Sequence, residues 1–185
     1  MSTSFPQEAD VVIIGSGIIG SSTAYHLGKM GCKGVVLLER HQIASGTTWH
    51  SAAQVRQLRS SKNLTQMVQH STRVYANLEA ETGLPTGWRQ CGSISIATNQ
   101  ERLIHIQRQA SLARAFDIEI HEIDVTEVKR LWPAAYTDDI IGAIYSPTDG
   151  RVEPKETALA LIAGAKQHGV QVFENTKVTM YCLER

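Results

Sequence analysis

Apolar positions along the chain follow two periods, and the switches between them mark out the elements. Residues 10–15 form a short β-rich apolar run, read as a strand of a parallel sheet buried on both faces. Residues 16–30 continue with helical spacing, and Gly31 suits the C-terminal cap. Residues 34–39 (GVVLLE) are a second apolar run. The three make a βαβ unit of about thirty residues, whose right-handed crossover puts both strands in one sheet. Residues 41–61 lose the period and are rich in Ser, Thr, Gly and Gln. They predict a long excursion off the sheet, with a turn of helix around 51–58, and such connections are usually functional or disordered.

Helical spacing returns over 63–82, where Leu64, Met67, Val68, Ser71, Val74, Tyr75 and Leu78 share one face and Gly83 and Pro85 stop the element. Residues 92–98 (GSISIAT) alternate as a half-exposed strand does, and Asn99 can cap a helix over 100–116. Residues 118–123 alternate again. A short helix at Thr126 and 129–132 ends at Pro133, and 140–146 is another strand. The turn-rich PTDGRVEP leads to Pro154, which fits the first position of a helix over 155–168 with Ala158, Leu161, Ile162 and Ala165 on one face and Gly169 at its cap. Residues 170–173 and 177–181 read as strands.

The pattern predicts an α/β fold: a Rossmann-like βαβ nucleotide domain with an inserted mixed strand–helix layer. The expected organisation is 1–87 for the βαβ start with its loop and helix, 88–152 for the inserted substrate layer, and 153–185 for the return to the first domain. A doubly wound sheet needs about five or six strands. Two clear parallel strands and a third near the end fall short of that, so the sequence is expected to be the N-terminal part of a longer protein, its fold incomplete at the C-terminus.

Composition narrows the function. The 18 basic and 18 acidic residues balance, leaving no electrostatic footprint for nucleic acid or an anionic membrane. No apolar run approaches the ~20 residues that span a bilayer. Three cysteines, Cys32, Cys91 and Cys182, show neither metal spacing nor a disulfide framework, which favours a reducing compartment. The first ten residues carry no visible targeting signal, so a cytoplasmic, bacterial-type location is expected, with the mitochondrial matrix as the alternative.

GSGIIG, directly after a strand and opening a helix, carries the chemistry. Gly15 permits the tight turn, Gly17 lets backbone approach a pyrophosphate, and Gly20 lets helix and strand pack closely. The helix N-terminus adds free N–H groups and partial positive charge. Glu39, at the end of the next strand, suits a carboxylate accepting from both ribose hydroxyls and repelling a 2′-phosphate. FAD and NAD share this fingerprint. Ser45, Gly46, Thr47 and Thr48 are small enough to run along a dinucleotide toward His50, and the eleven residues from Glu39 to His50 can reach well past the ~15 Å from ribose to flavin ring. Arg56 and Arg59 could meet a substrate carboxylate but read first as solvated charges, Trp49 as core, and Tyr145, Asp149 and Arg151 as stabilisers of a turn. With Arg40 beside Glu39, the candidate cofactor-binding set is Gly15, Gly17, Gly20, Glu39, Arg40, Ser45, Gly46, Thr47, Thr48 and His50. No catalytic residue or metal ligand is assigned.

Across VVIIGSGIIGSSTAYHL, VVLLER, IASGTTWHSA, QLRSS, LEAETGLPTGW, GSISIAT, LWP and IIGAIYSPTDGRVEP the chain resembles the FAD domain of the sarcosine and dimethylglycine dehydrogenase family, within the wider glycine and D-amino acid oxidase group. QLR and ETGLPTGW are nearer the sarcosine branch. The resemblance implies FAD, joined covalently at the histidine that matches His50, and oxidation of an N-methyl amino acid, sarcosine before dimethylglycine. It implies an electron-transfer flavoprotein or oxygen as acceptor, and tetrahydrofolate as a further ligand of regions that lie beyond this stretch in the family. This stretch alone is expected to bind FAD poorly and not to turn over. The alternatives are a catalytically silent relative resembling the regulatory subunit of pyruvate dehydrogenase phosphatase, and a D-amino acid oxidase-like oxidase of another secondary amine. Silent relatives tend to lack the histidine, and the chain keeps both Glu39 and His50. A plain NAD module fits poorly with the long polar excursion after Glu39.

Overall fold

The computed structural model describes residues 5–182. In chain order the elements are β1 (Val11–Ile14), α1 (Ile18–Lys29), β2 (Val35–Leu38), a 3-10 turn (Thr47–His50), β3 (Gln54–Val55) and α2 (Lys62–Thr82). Then follow β4 (Ser93–Ala97), α3 (Gln100–Ala115), β5 (His121–Ile123), α4 (Val125–Leu131), β6 (Gly142–Ser146), β7 (Gly150–Arg151), α5 (Pro154–Gln167) and β8 (Gln171–Phe173). Two compact units result. The first takes the residues up to Ala53, Val74–Trp88 and those from Val152 on; the second takes Gln54–Arg73 and Arg89–Arg151.

In the first unit β1, β2 and β8 form a parallel sheet in the order β1-β2-β8, with Ile13 opposite Leu37 and Leu37 opposite Val172. α1 and α5 lie on one face, over a core of Ile13, Tyr25, Val35, Leu37, Leu78, Leu161 and Ile162. The helices approach closely because small residues meet large ones. A methyl group on Gly164 would stand 2.7 Å from the Tyr25 ring, and one on Gly28 would stand 2.9 Å from His168 Cβ. Tyr25 OH donates to Glu81 Oε2, and Lys29 Nζ reaches the same oxygen at 2.7 Å, tying α1 to the end of α2. β1 departs from the strand buried on both faces that its apolar run predicts. Val12 and Ile14 are 52% and 60% exposed, because both helices sit on the Ile13 side and β1 is an edge strand. Residues 177–181 also differ from expectation. They lie outside every ladder, and instead Thr176 N–H donates to the Glu39 carbonyl at 2.7 Å and ties this segment to the end of β2.

The second unit is an antiparallel sheet in the order β4-β6-β5, with Ile94 opposite Tyr145 and Glu122 opposite Ile144. Its two faces carry separate cores. Ala97, Ile106, Ala110 and Ile144 pack under α3, while Val128, Ala135, Ile140 and Ala143 pack with Ile94 and Ile96 on the other side. The half-exposed strand expected from GSISIAT is therefore covered on both faces. Ser95 is buried on the α3 side, where its hydroxyl accepts from Arg56 Nη2 at 2.9 Å. The helical turn expected around 51–58 is replaced by the 3-10 turn Thr47–His50 and by β3, which pairs antiparallel with β7. On α2, Leu64 and Met67 of the predicted apolar face are exposed, while Leu78 is fully buried in the first unit.

Asp149 joins three segments of the second unit. Its carboxylate accepts from Gln57 N at 2.8 Å and Ser93 Oγ at 2.6 Å, with Arg56 Nε 4.0 Å away. Its carbonyl accepts from Gly92 N at 2.9 Å.

Candidate nucleotide site

The site lies in the first unit, at the carboxyl ends of its parallel strands, where such sheets bind ligands. Gly15 leaves β1 at φ +96°, a conformation that a side chain strains, and its N–H donates to the Leu38 carbonyl at 2.8 Å. Gly20, on the first turn of α1, faces back onto this turn. A methyl group there would stand 1.9 Å from the Gly15 carbonyl oxygen, so only glycine lets α1 start so close to β1. Gly17 sits at the N-cap of α1 with no side-chain cap of its own. The missing cap comes from thirty residues away: Ile18 N donates to Thr48 Oγ1 at 2.9 Å, satisfying one of the orphan amides of the first turn. Thr48 Oγ1 also stands 3.1 Å from where a Gly17 side chain would begin.

Glu39 follows β2 directly. Its Oε2 accepts from Ser16 N and Ser16 Oγ, both at 2.8 Å, and its Oε1 accepts from His41 N at 2.9 Å. Burial pushes the carboxyl up. The two backbone donors, the Ser16 hydroxyl and the nearby Arg40 charge outweigh that and hold it below the ordinary carboxylate value. Glu39 is therefore ionised at neutral pH. It borders a cavity of about 310 Å³ with Ile14, Gly15, Leu38, Arg40, Thr176, Lys177 and Val178.

The structure thus gathers Gly15, Glu39 and Arg40 around one cavity, with Gly17 and Gly20 shaping the turn beside it. The segment Ser45–Thr48 meets the amino end of α1 through Thr48 Oγ1, while Ser45, Gly46 and Thr47 are exposed. Ala44, at φ +59°, donates to the Ser16 carbonyl at 3.2 Å, and the 3-10 turn closes when Ser51 N donates to the Thr48 carbonyl at 3.1 Å. His50 is exposed, its ring centroid 3.9 Å from that of Trp49, and it does not line the cavity. Trp49 is exposed rather than core. In the second unit Arg56 is engaged with Ser95 and Asp149, so it is no free helix charge. Among the described residues no His, Cys, Asp or Glu cluster could hold a metal ion.

Two parts of the site are absent from the sequence reading: Ser16, which occupies a variable position of the glycine motif, and Thr176 with Lys177 and Val178, the last two of which open the strand expected over 177–181. A small polar residue between two motif glycines is the available signal for the first. The second has none, because its place at the cavity follows from the path of the chain after β8.

A carboxylate beside a glycine turn at one cavity is the lining expected for the adenosine half of a dinucleotide.

Comparison with known proteins bears on which dinucleotide it is. The family described as FAD dependent oxidoreductase (DAO) matches residues 10–182. Human mitochondrial sarcosine dehydrogenase is 45% identical over 175 residues, 94% of this chain and 19% of that protein. The mouse mitochondrial pyruvate dehydrogenase phosphatase regulatory subunit is 41% identical over 177 residues, 96% of this chain and 20% of that protein. The crystal structure of L-proline dehydrogenase from P. horikoshii superposes with a TM-score of 0.90 at 26% identity, over 97% of this chain and 47% of that one. The chain spans about a fifth of the length of the curated relatives it matches.

Proposed function

Because this chain belongs to the FAD dependent oxidoreductase (DAO) family, we propose that it holds the cofactor of an amine dehydrogenase that oxidises an N-methyl amino acid, sarcosine in preference to dimethylglycine. One observation carries the proposal. An ionised Glu39 and the Gly15 turn border one cavity, and the segment that ends in His50 is tied to the same turn through Thr48. The residues fit FAD as follows. Glu39 and Arg40 flank the adenosine with Thr176–Val178, the Gly15–Gly20 turn and the amino end of α1 face the pyrophosphate, and Ser45–Thr48 run along it. His50 is the point of covalent attachment. FAD, when bound, supplies a two-electron acceptor for the substrate's methyl carbon. The chain's own residues supply binding, orientation and charge. The 45% identity to a protein named sarcosine dehydrogenase supports the substrate preference. An electron-transfer flavoprotein or oxygen as acceptor, and tetrahydrofolate elsewhere in the protein, belong to the same proposal. The relatives are named as mitochondrial proteins, which favours a mitochondrial location over a cytoplasmic one.

A catalytically silent regulatory role is the second reading, favoured by the 41% identity to a phosphatase regulatory subunit. Acid precipitation of the full-length protein separates the two. A yellow pellet that turns colourless in His50→Ala supports the tethered flavin, and a colourless wild-type pellet counts against it. Dye-linked assays with sarcosine and dimethylglycine test the substrate, and turnover of neither would sink the amine dehydrogenase proposal.

A further inference from the structure

A carboxylate offers about four acceptor positions, two on each oxygen. At Glu39 three are taken. Ser16 N and Ser16 Oγ fill Oε2, and His41 N takes one of the two on Oε1. One position remains for a ligand, although a ribose presents two neighbouring hydroxyls.

The three donors differ in how readily they could leave. The backbone around Ser16 is locked, since its carbonyl accepts from Ser21 Oγ at 3.0 Å and from Ala44 N at 3.2 Å, and the residue is fully buried. His41 is held in turn through its carbonyl, which accepts from Asn175 N at 3.0 Å. Only the Ser16 hydroxyl could withdraw by rotation about a single side-chain bond, and doing so would leave a buried hydroxyl without its acceptor.

We propose that Ser16 is a specificity-determining residue: its hydroxyl occupies the second acceptor position of Glu39 Oε2 and restricts the carboxylate to one ribose hydroxyl of the bound nucleotide. The proposal rests on the nucleotide reading of the cavity and deepens it. It differs from the expectation that Glu39 accepts from both hydroxyls. An alanine at position 16 would keep the backbone donor, free one position on Oε2 and open the carboxylate to the second hydroxyl. A threonine would keep the hydroxyl and the restriction.

Calorimetric titration tests this on the full-length protein carrying His50→Ala, freed of flavin by dialysis, with ADP, 2′-deoxy-ADP and 3′-deoxy-ADP. Loss of the accepted hydroxyl removes a hydrogen bond to a charged group, so one deoxy analogue should bind about tenfold or more weakly than ADP. The other should stay within about threefold of ADP. In Ser16→Ala both analogues should weaken relative to ADP, and the gap between them should shrink, while Ser16→Thr should keep it. Equal losses for the two analogues with Ser16 present, or an unchanged gap in Ser16→Ala, overturn the proposal. The comparison with Ser16 present decides the matter even if Ser16→Ala does not fold. A different result would strike the nucleotide reading itself and the proposal with it: ADP that fails to bind, or that binds equally well to Glu39→Ala.

Discussion

Two buried carboxylates, one in each unit, divide the molecule by what their hydrogen bonds are for. Asp149 is 2% exposed and spends its carboxylate on Gln57, Ser93 and Arg56, three groups from two separate stretches of the second unit. It joins the segment at Arg56 and Gln57 to β4 of the sheet. Glu39 is nearly as buried, is also held by three donors and keeps an acceptor position in reserve, yet it lines a cavity. Burial, hydrogen bonding and spare acceptor positions alone therefore do not separate a structural carboxylate from one open to a ligand, since Asp149 is no more fully bonded than Glu39. The separating feature is the open volume beside Glu39.

Substitutions should break this contrast in decreasing order. Gly20→Ala comes first, because the new methyl group would meet backbone at 1.9 Å, which no rotamer change relieves. We expect destabilisation upwards of about 3 kcal/mol and loss of FAD binding together, read by thermal melts and flavin titration. Asp149→Ala should cost about 2–4 kcal/mol by stranding buried donors, while leaving nucleotide affinity nearly unchanged. Amide exchange should show protection lost at Gln57, whose N–H loses its acceptor, and kept at Gly92, which donates to the backbone carbonyl at 149. A large loss of affinity would make Asp149 more than a structural joint.

Glu39→Gln should act through pH. The folded-state carboxyl lies below its ordinary value of about 4.5, so its ionised form stabilises the fold above that value. The contribution is lost as pH falls through the lower folded value. Melts between about pH 3 and 7 should show the parent protein losing stability in acid more steeply than Glu39→Gln, whose amide does not titrate. Glu81, also held low, chiefly by Lys29, contributes equally to both proteins. Parallel curves would count against the Glu39 hydrogen bonds as a source of stability. The smallest effect belongs to Thr48→Val, which removes the borrowed cap on Ile18. It should cost about 1 kcal/mol in melts and slow the appearance of acid-stable flavin, with Thr48→Ser restoring both.

Much of the architecture was legible in the order of residues. The elements β1, α1 and β2 follow from apolar period and glycine placement, and α3 begins where Asn99 accepts from Arg102 N at 2.8 Å, as its capping position predicts. Misreadings arose where the two faces of an element have different neighbours. Alternation in GSISIAT marked Ser95 as the exposed side, but α3 covers it. Apolar continuity in β1 implied cover on both faces, but both helices of the first unit chose one. Alternation after β8 suggested a strand where the chain instead turns to line the cavity. Of the candidate site, the glycines and Glu39 were legible because the motif is local. Ser16 and Thr176–Val178 were not, because their parts depend on contacts far along the chain.

The βαβ start, the turn at Gly15, the close packing at Gly20 and a carboxylate at the end of β2 are written in the order of residues, since each follows from backbone sterics and period over a few positions. What that carboxylate has left to offer depends on how distant parts of the chain fold together. Ser16 meets Glu39 across 23 positions, Thr48 meets Ile18 across 30, and Glu174 Oε1 accepts from Ile43 N at 2.8 Å across 131. Hydrogen-bond capacity is spent through space, so the acceptor position open to a ligand appears only once the chain has folded.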